Sequence, residues 1–387
     1  MKIRILFTAA TLAVMLTGVQ HVAAQQMSPY GMGGYQPAGP MAYPAPYAPA
    51  VAPQFDVRQA AMVQQQGAVG CTELGDCGTC TDGTCGQACC NTCCGCMCHC
   101  VAVWGEFLYL RARNAEVAYG VPIDGPITAP PATFPIQIGR VGMTDPDFSS
   151  GVRVGAGWVC DGCSMVSLQY TWFEETTSDF VETNAPNVVR SLVSHPGTLT
   201  AAQDFLTANA NQRLRFDWLD ADYRRVLDCC GNRMVTFVAG VRAGSFNQDF
   251  SAEFVNTGFE TVSTEIDFYG AGLRLGLEGE RYSASRRWMV YGKTAANLVA
   301  GEFTADYRQV QSFDPQVVDT TWKAGRIVPM LDLELGAGWQ SRCGTWRITG
   351  GYLISAWYNT VKTDEWVKAV QSNNFVGLSD TTVSYTH

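Results

Sequence analysis

The sequence predicts an all-β protein: an antiparallel up-and-down transmembrane β-barrel of about ten strands, preceded by a disordered Pro-rich linker and a Cys-rich segment. Three observations predict it. Apolar residues recur at every second position over strand-length stretches, the connections alternate between long and short, and tryptophans gather near the strand ends. Alternation with period two places one set of side chains on each face of a strand.

The chain opens with an export signal. Residues 1–24 carry a basic start (Lys2, Arg4), an apolar stretch from Ile5 to Val19 and the small residues Val22-Ala23-Ala24, the three parts of a cleavable secretory signal peptide. Removing it takes the formal charge from −9 to −11, because Lys2 and Arg4 are its only formal charges. An acidic exported chain is poorly suited to nucleic acid, whose phosphates call for clustered Lys and Arg. Residues 25–70 are rich in Pro, Ala and Gly, as in "GMGGYQPAGPMAYPAPYAPAVAP". Proline fixes φ and donates no hydrogen bond, so this stretch is expected to be an extended linker. Residues 71–100 then hold eleven of the sixteen cysteines, and residues 101–387 are long enough for one large domain.

In that domain no apolar run reaches eighteen residues, which excludes a helical membrane span. Strands take its place. Val152, Val154, Ala156 and Trp158 alternate with Arg153, Gly155 and Gly157, and Val166, Leu168, Tyr170 and Trp172 with Ser167, Gln169 and Thr171. Val235 to Ala243 and Ala271 to Glu280 read the same way, and so do Leu331 to Trp339 and Trp346 to Tyr358. Trp104 to Arg111 carries large residues on both faces, and Leu214 to Val226 is expected to change phase at a bulge near Trp218. Since the apolar faces point to lipid, the opposite residues Arg153, Arg242, Arg274, Glu278, Asp332, Glu334 and Arg347 are expected to face the lumen and pair there. A tenth strand is expected in "SDTTVSYTH", short, with Tyr385 third from the end.

Long connections are expected at residues 114–150, 174–211, 245–262 and 301–325, and short ones at 160–163, 228–232, 282–286 and 341–344. This parity puts long loops on one rim and short turns on the other, the pattern of outer-membrane barrels. Trp158, Trp288, Trp339 and Trp346 lie beside short turns and Trp172 and Trp357 at the ends leading to long loops. They are expected to form two interfacial aromatic girdles.

"VWGEFLYLRAR", "DADYRR", "VAGVRAGSFNQDF", "GAGLRLGLEGE" and "SNNFVGLSD" occur in order over residues 101–380. In these motifs the chain resembles the Legionella-type major outer membrane protein family of planctomycete-like genomes. The resemblance implies an outer-membrane β-barrel with a porin-like or envelope-structural role, and no catalytic residues.

Little in the domain suggests chemistry. His195 and His387 are its only histidines, no phosphate-binding glycine motif stands between a strand and a helix, and Glu174, Glu175, Asp179 and Glu182 read as a solvated loop. No enzyme activity, cofactor or metal site is expected. The sulfur remains. Cys71, Cys77, Cys80, Cys85, Cys89, Cys90, Cys93, Cys94, Cys96, Cys98 and Cys100 precede the domain, and Cys160, Cys163, Cys229, Cys230 and Cys343 fall in its short turns. Export to an oxidising compartment favours disulfides, so all sixteen are disulfide candidates at the periplasmic rim. The expected partners are membrane lipid and, through disulfides, the chain itself or other envelope proteins. A secreted soluble β-rich binding protein is the alternative for the domain, and soft-metal binding for the Cys-rich segment.

Overall fold

The computed structural model describes residues 101–125, 135–161, 163–196, 204–229, 232–312, 318–341 and 346–373, together with the backbone of a strand at residues 55–69. A closed antiparallel barrel is formed by β1 (Phe55–Val69), β2 (Val101–Arg113), β5 (Ser149–Asp161), β6 (Ser164–Glu182), β8 (Thr207–Asp228), β9 (Arg233–Val255), β10 (Phe259–Tyr282), β11 (Trp288–Gln311), β12 (Val318–Gln340) and β13 (Trp346–Trp357). Each strand pairs with the next in this order, and β1 closes the ring between β13 and β2. A separate three-stranded sheet, β4 (Gly142–Thr144), β3 (Val117–Ile123) and β7 (Val188–Ser191), comes from the connections, and helix α1 (Thr363–Ser372) follows β13.

One expectation is corrected, and another lies outside the described residues. The stretch read as a linker contains the closing strand β1; its glutamine-rich sequence after the proline run carries no strong strand pattern. Residues 379–387, where a tenth strand is expected, lie outside the described residues.

The long loops expected at 245–262 and 301–325 are largely strand, and the one expected at 174–211 is strand at both ends. β9 and β10 are joined by three residues, 256–258, and their ladder is unbroken from Phe259–Val255 to Arg281–Arg233. At 24 residues, β10 extends about 80 Å along its axis. Even tilted by about 40°, it stands about 60 Å tall, more than twice the ~25 Å apolar band of an outer-membrane barrel.

The side chains show why. In the half nearer the short turns, β10 turns Leu273, Leu275 and Leu277 outward, exposed, and Arg274, Gly276 and Glu278 inward. In the other half the polarity inverts: Val262, Ile266 and Phe268 are buried inside, while Ser263, Glu265 and Asp267 face out. The same inversion occurs on β6 beyond Trp172, on β8 at Trp218, on β9 beyond Ala243 and on β11 beyond Ala300. The lower storey thus has an apolar exterior and a charged interior. The upper storey is built like a water-soluble barrel around an apolar core.

The upper mouth is covered. β4 lies against β6, where Asp179 accepts hydrogen bonds from Tyr119 Oη (3.0 Å) and the Met143 amide (3.0 Å) and pairs with Arg140 (2.7 Å). α1 buries Trp366, Val367 and Val370, and Trp366 Nε1 donates to the Asp306 carbonyl at 3.1 Å. Gln248 Nε2 donates to the Val361 carbonyl just ahead of the helix (2.7 Å), and Gln371 Nε2 donates to the carbonyls of Leu192 (2.8 Å) and Ser194 (3.0 Å).

Candidate functional site: the barrel interior

The lower interior is lined by ion pairs. Arg242 binds Asp220 through both Nε (2.6 Å) and Nη2 (2.9 Å), and reaches Asp332 through Nη1 (3.0 Å). Arg274 meets the same Asp332 at 3.2 Å and Asp222 at 3.4 Å. Asn297 donates to Asp332 Oδ2 and Ser355 to its Oδ1, so that carboxylate is fully occupied. Nearer the lower rim Arg153 lies between Glu106 (2.8 Å) and Glu334 (3.4 Å), and Lys293 binds the second oxygen of Glu334 (3.0 Å). Arg224 pairs with Glu278 (2.9 Å) and Arg347 with Glu280 (2.6 Å).

All seven residues read from the sequence as lumen-facing therefore enter this network. The sequence reading did not name Glu106, Asp220, Asp222, Arg224, Glu280 or Lys293. Parity would have found Asp220 and Asp222, which alternate with the exposed Leu219 and Tyr223, had no bulge been assumed. The β8–β9 ladder runs without a break past Trp218, and its register shifts only between Val226 and Asp228. Trp218 is an interior residue.

Inward glycines give the large interior groups room. A Cβ on Gly155 would stand 2.4 Å from the Trp104 ring, and that indole donates to Gln169 Oε1 at 3.2 Å while the Arg224 guanidinium lies over its face, 5.6 Å from the centroid.

Above the ion pairs lies an aromatic floor. Trp357 is edge-on to Phe216, Trp218 and Phe246, with centroids 5.2, 5.7 and 5.3 Å away, and its Nε1 donates to Ser355 Oγ at 2.8 Å. Trp357 is thus not a girdle residue: on β13 even positions such as Trp346 and Ile348 face out and odd ones face in. Trp158, Trp288 and Trp346 are exposed on the exterior, and Trp172 and Trp339 are partly exposed there. Tyr269, 62% exposed where β10 inverts, is an exterior aromatic that the sequence reading did not single out.

The remaining residues lie apart from this network. His195 is at the upper mouth, its amide donating to Gln309 Oε1 (2.9 Å) and its ring 3.4 Å from Asn373 Oδ1. Glu174, Glu175, Asp179 and Glu182 belong to β6, not to a loop, and Glu174 pairs with Arg213 at 2.8 Å. Of the cysteines, Cys160, Cys163 and Cys229 are described, and Cys160 is an exposed thiol. The Cys-rich segment, Cys230, Cys343 and His387 lie outside the described residues.

Residues 94–384 match the family model described as the Legionella pneumophila major outer membrane protein precursor. The chain belongs to this family. It is an outer-membrane β-barrel protein, and the apolar exterior of the lower storey is consistent with contact with membrane lipid. Among solved structures, the outer membrane protease OmpT from Escherichia coli aligns with a TM-score of 0.25 at 7% identity, over 79% of this chain and 95% of that one. No curated protein matches the chain.

Proposed function

We propose that this outer-membrane protein is a plugged, envelope-structural barrel and not an open porin. The observation that carries the reading is the apolar core across the barrel: Ile266, Phe268, Val299 and Phe303 are at most 1% exposed, directly above an ion-paired layer. Water-filled porin lumens are polar along their length. Below the core each interior cation named above has at least one carboxylate within 3.4 Å, which leaves little free charge to attract a passing solute. No reaction is assigned, since the family description names an outer membrane protein and no chemistry. Purified protein in planar bilayers tests the reading: silence at high protein density is expected, and stepwise conductance would refute it.

The Cys-rich segment is proposed to be a periplasmic crosslinking element, joining the lower rim to itself, to sister barrels or to another envelope protein. β1 ends at Val69, register partner of Val101, so residues 70–100 leave from and return to the rim that carries Cys160, Cys163 and Cys229. Non-reducing gels should show higher species that collapse with reductant and are largely lost when residues 71–100 are deleted. Unchanged mobility on reduction would overturn the proposal.

A further inference from the structure

We propose that the exterior of the lower rim is a binding site for the phosphate of anionic phospholipids, built on Arg225, Arg233, Arg281, Arg286 and Arg287. The proposal rests on the lower storey being the lipid-facing one and is independent of whether the lumen conducts. On β9 the outward side chains from Val241 down to Val235 are apolar, and the next outward residue is Arg233. On β10 those from Leu273 to Gly279 are uncharged, and the next is Arg281. On β8 Leu219, Ala221 and Tyr223 lead to Arg225, close to the end of the strand. Arg286 and Arg287 follow in the turn between β10 and β11, and all five arginines are exposed. Cations thus stand where the apolar band stops.

This rim carries more positive charge than its own acids neutralise. Arg233 reaches Asp228 at 2.9 Å, and Asp161 is linked to Arg225 through their common register partner Ser164. Among the described residues, Arg225, Arg281 and Arg287 make no ion pair. Arg281 and Arg233 are themselves register partners, both pointing outward. Like charges directly opposite on neighbouring strands repel, and an anion seated between them removes the penalty. A phosphate suits that place: its oxygens accept paired N–H donors from guanidinium groups. The depth fits as well. Trp288, next in the chain after Arg287, is 63% exposed, and an indole so placed sits at the headgroup level.

The opposite edge of the band has the reverse charge. At and above the level of Tyr269, the outward residues of β9, β10 and β11 include Asp249, Glu265, Asp267, Glu302 and Asp306, against Arg308. The same three strands therefore sort their exterior charges by sign across the apolar band. An anionic headgroup is drawn to the lower rim and repelled from the upper storey.

The test uses the full chain inserted into vesicles of phosphatidylcholine mixed with phosphatidylglycerol, then released into mild detergent and weighed with its bound lipid by native mass spectrometry. Retained phosphatidylglycerol should exceed retained phosphatidylcholine by roughly tenfold or more, since each arginine at an anionic surface contributes about fivefold. The triple variant Arg225→Gln, Arg281→Gln, Arg287→Gln should lose that preference, and Arg308→Gln in the upper storey should keep it. Equal retention of the two lipids by the unaltered protein would overturn the proposal, and so would a preference that survives the triple variant or disappears in Arg308→Gln. Should the triple variant fail to insert, the single variants Arg281→Gln and Arg287→Gln decide instead: each should lower the preference about fivefold, and no change in either would overturn the proposal. Insertion into pure phosphatidylcholine is read separately, so a missing lipid preference is not confused with a failed barrel.

Discussion

Phe268 on β10 and Phe303 on β11 are register partners whose rings lie 4.5 Å apart between centroids, directly above the paired glycines Gly270 and Gly301. A Cβ on Gly301 would stand 2.2 Å from the Tyr269 carbonyl and 2.7 Å from the Phe268 ring, so the close approach depends on glycine there. This contact marks the level at which the interior changes from charged to apolar. It also marks the level at which the exterior changes from apolar to polar.

The first prediction concerns the core. Phe303 is fully buried, and truncating a buried phenylalanine costs about 3–5 kcal/mol through lost transfer energy and the cavity left behind. Phe303→Ala should lower the urea midpoint of the vesicle-inserted protein accordingly, with its membrane association unchanged. A loss below about 1 kcal/mol would mean that the upper storey is not packed as described.

The polarity inversion can be tested on one face of one strand. Leu275 and Glu265 both face out from β10, one in each storey. Leu275→Arg should cost about 2–4 kcal/mol if it lies near the bilayer midplane, whereas Glu265→Arg stands in water beside Asp267 and Asp249 and should cost less than about 0.5 kcal/mol. Similar losses at both positions would contradict the two-storey description.

How much of this was legible depended on which storey a residue occupies. The lower storey follows the rule of apolar outside and polar inside, and Leu273, Arg274 and Leu275 announce their faces directly. In the upper storey Glu265, Ile266, Asp267 and Phe268 keep the period of two but reverse its meaning, so polar outward residues read as loop. Trp218 misled for the same reason: it is a large apolar residue at an interior position, and it suggested a bulge where the strand is regular. Trp357 was assigned by its distance from a loop, against the parity of its own strand. The helix left a signal that was not used, with Asp364 and Glu365 in its first turn and Trp366, Val367 and Val370 on one side. β1 gave almost none, because closure of a ring is a property of its neighbours.

The plug helix should respond to pH. Burial, with Asp364 adding to it, raises the Glu365 carboxyl above its ordinary range despite the nearby Lys362, Arg326 and Lys368. A carboxyl raised in the folded state binds its proton more tightly there than in the unfolded chain. Its contribution is therefore fully present below the unfolded pKa and is lost as pH rises through the folded one. Amide exchange in α1, corrected for intrinsic rates, should be slower at pH 4 than at pH 8. Glu365→Gln should flatten that dependence, and an unchanged slope in the variant would assign it to another group.

The last prediction separates interior from rim electrostatics. Asp332 is shared by Arg242 and Arg274 and held by Asn297 and Ser355. Asp332→Asn keeps the volume but leaves two guanidinium groups short of negative charge in a closed interior. Breaking a buried network in this way costs about 3–5 kcal/mol, mostly the desolvation of the unpaired partner. Asp228 and Arg233 also pair, at 2.9 Å, but at the lower rim, where Arg233 is exposed and Asp228 half-buried; water and salt screen such a pair, and Asp228→Asn should cost about 1 kcal/mol or less. The double variant Arg274→Met, Asp332→Leu removes one charge of each sign and should recover part of the single-variant loss, because Arg242 keeps its bidentate partner Asp220. Urea midpoints of the three variants in the same vesicles decide the matter. Equal losses at Asp332 and Asp228 would mean that the interior is hydrated enough to screen its charges, and the plugged reading would fall with that result.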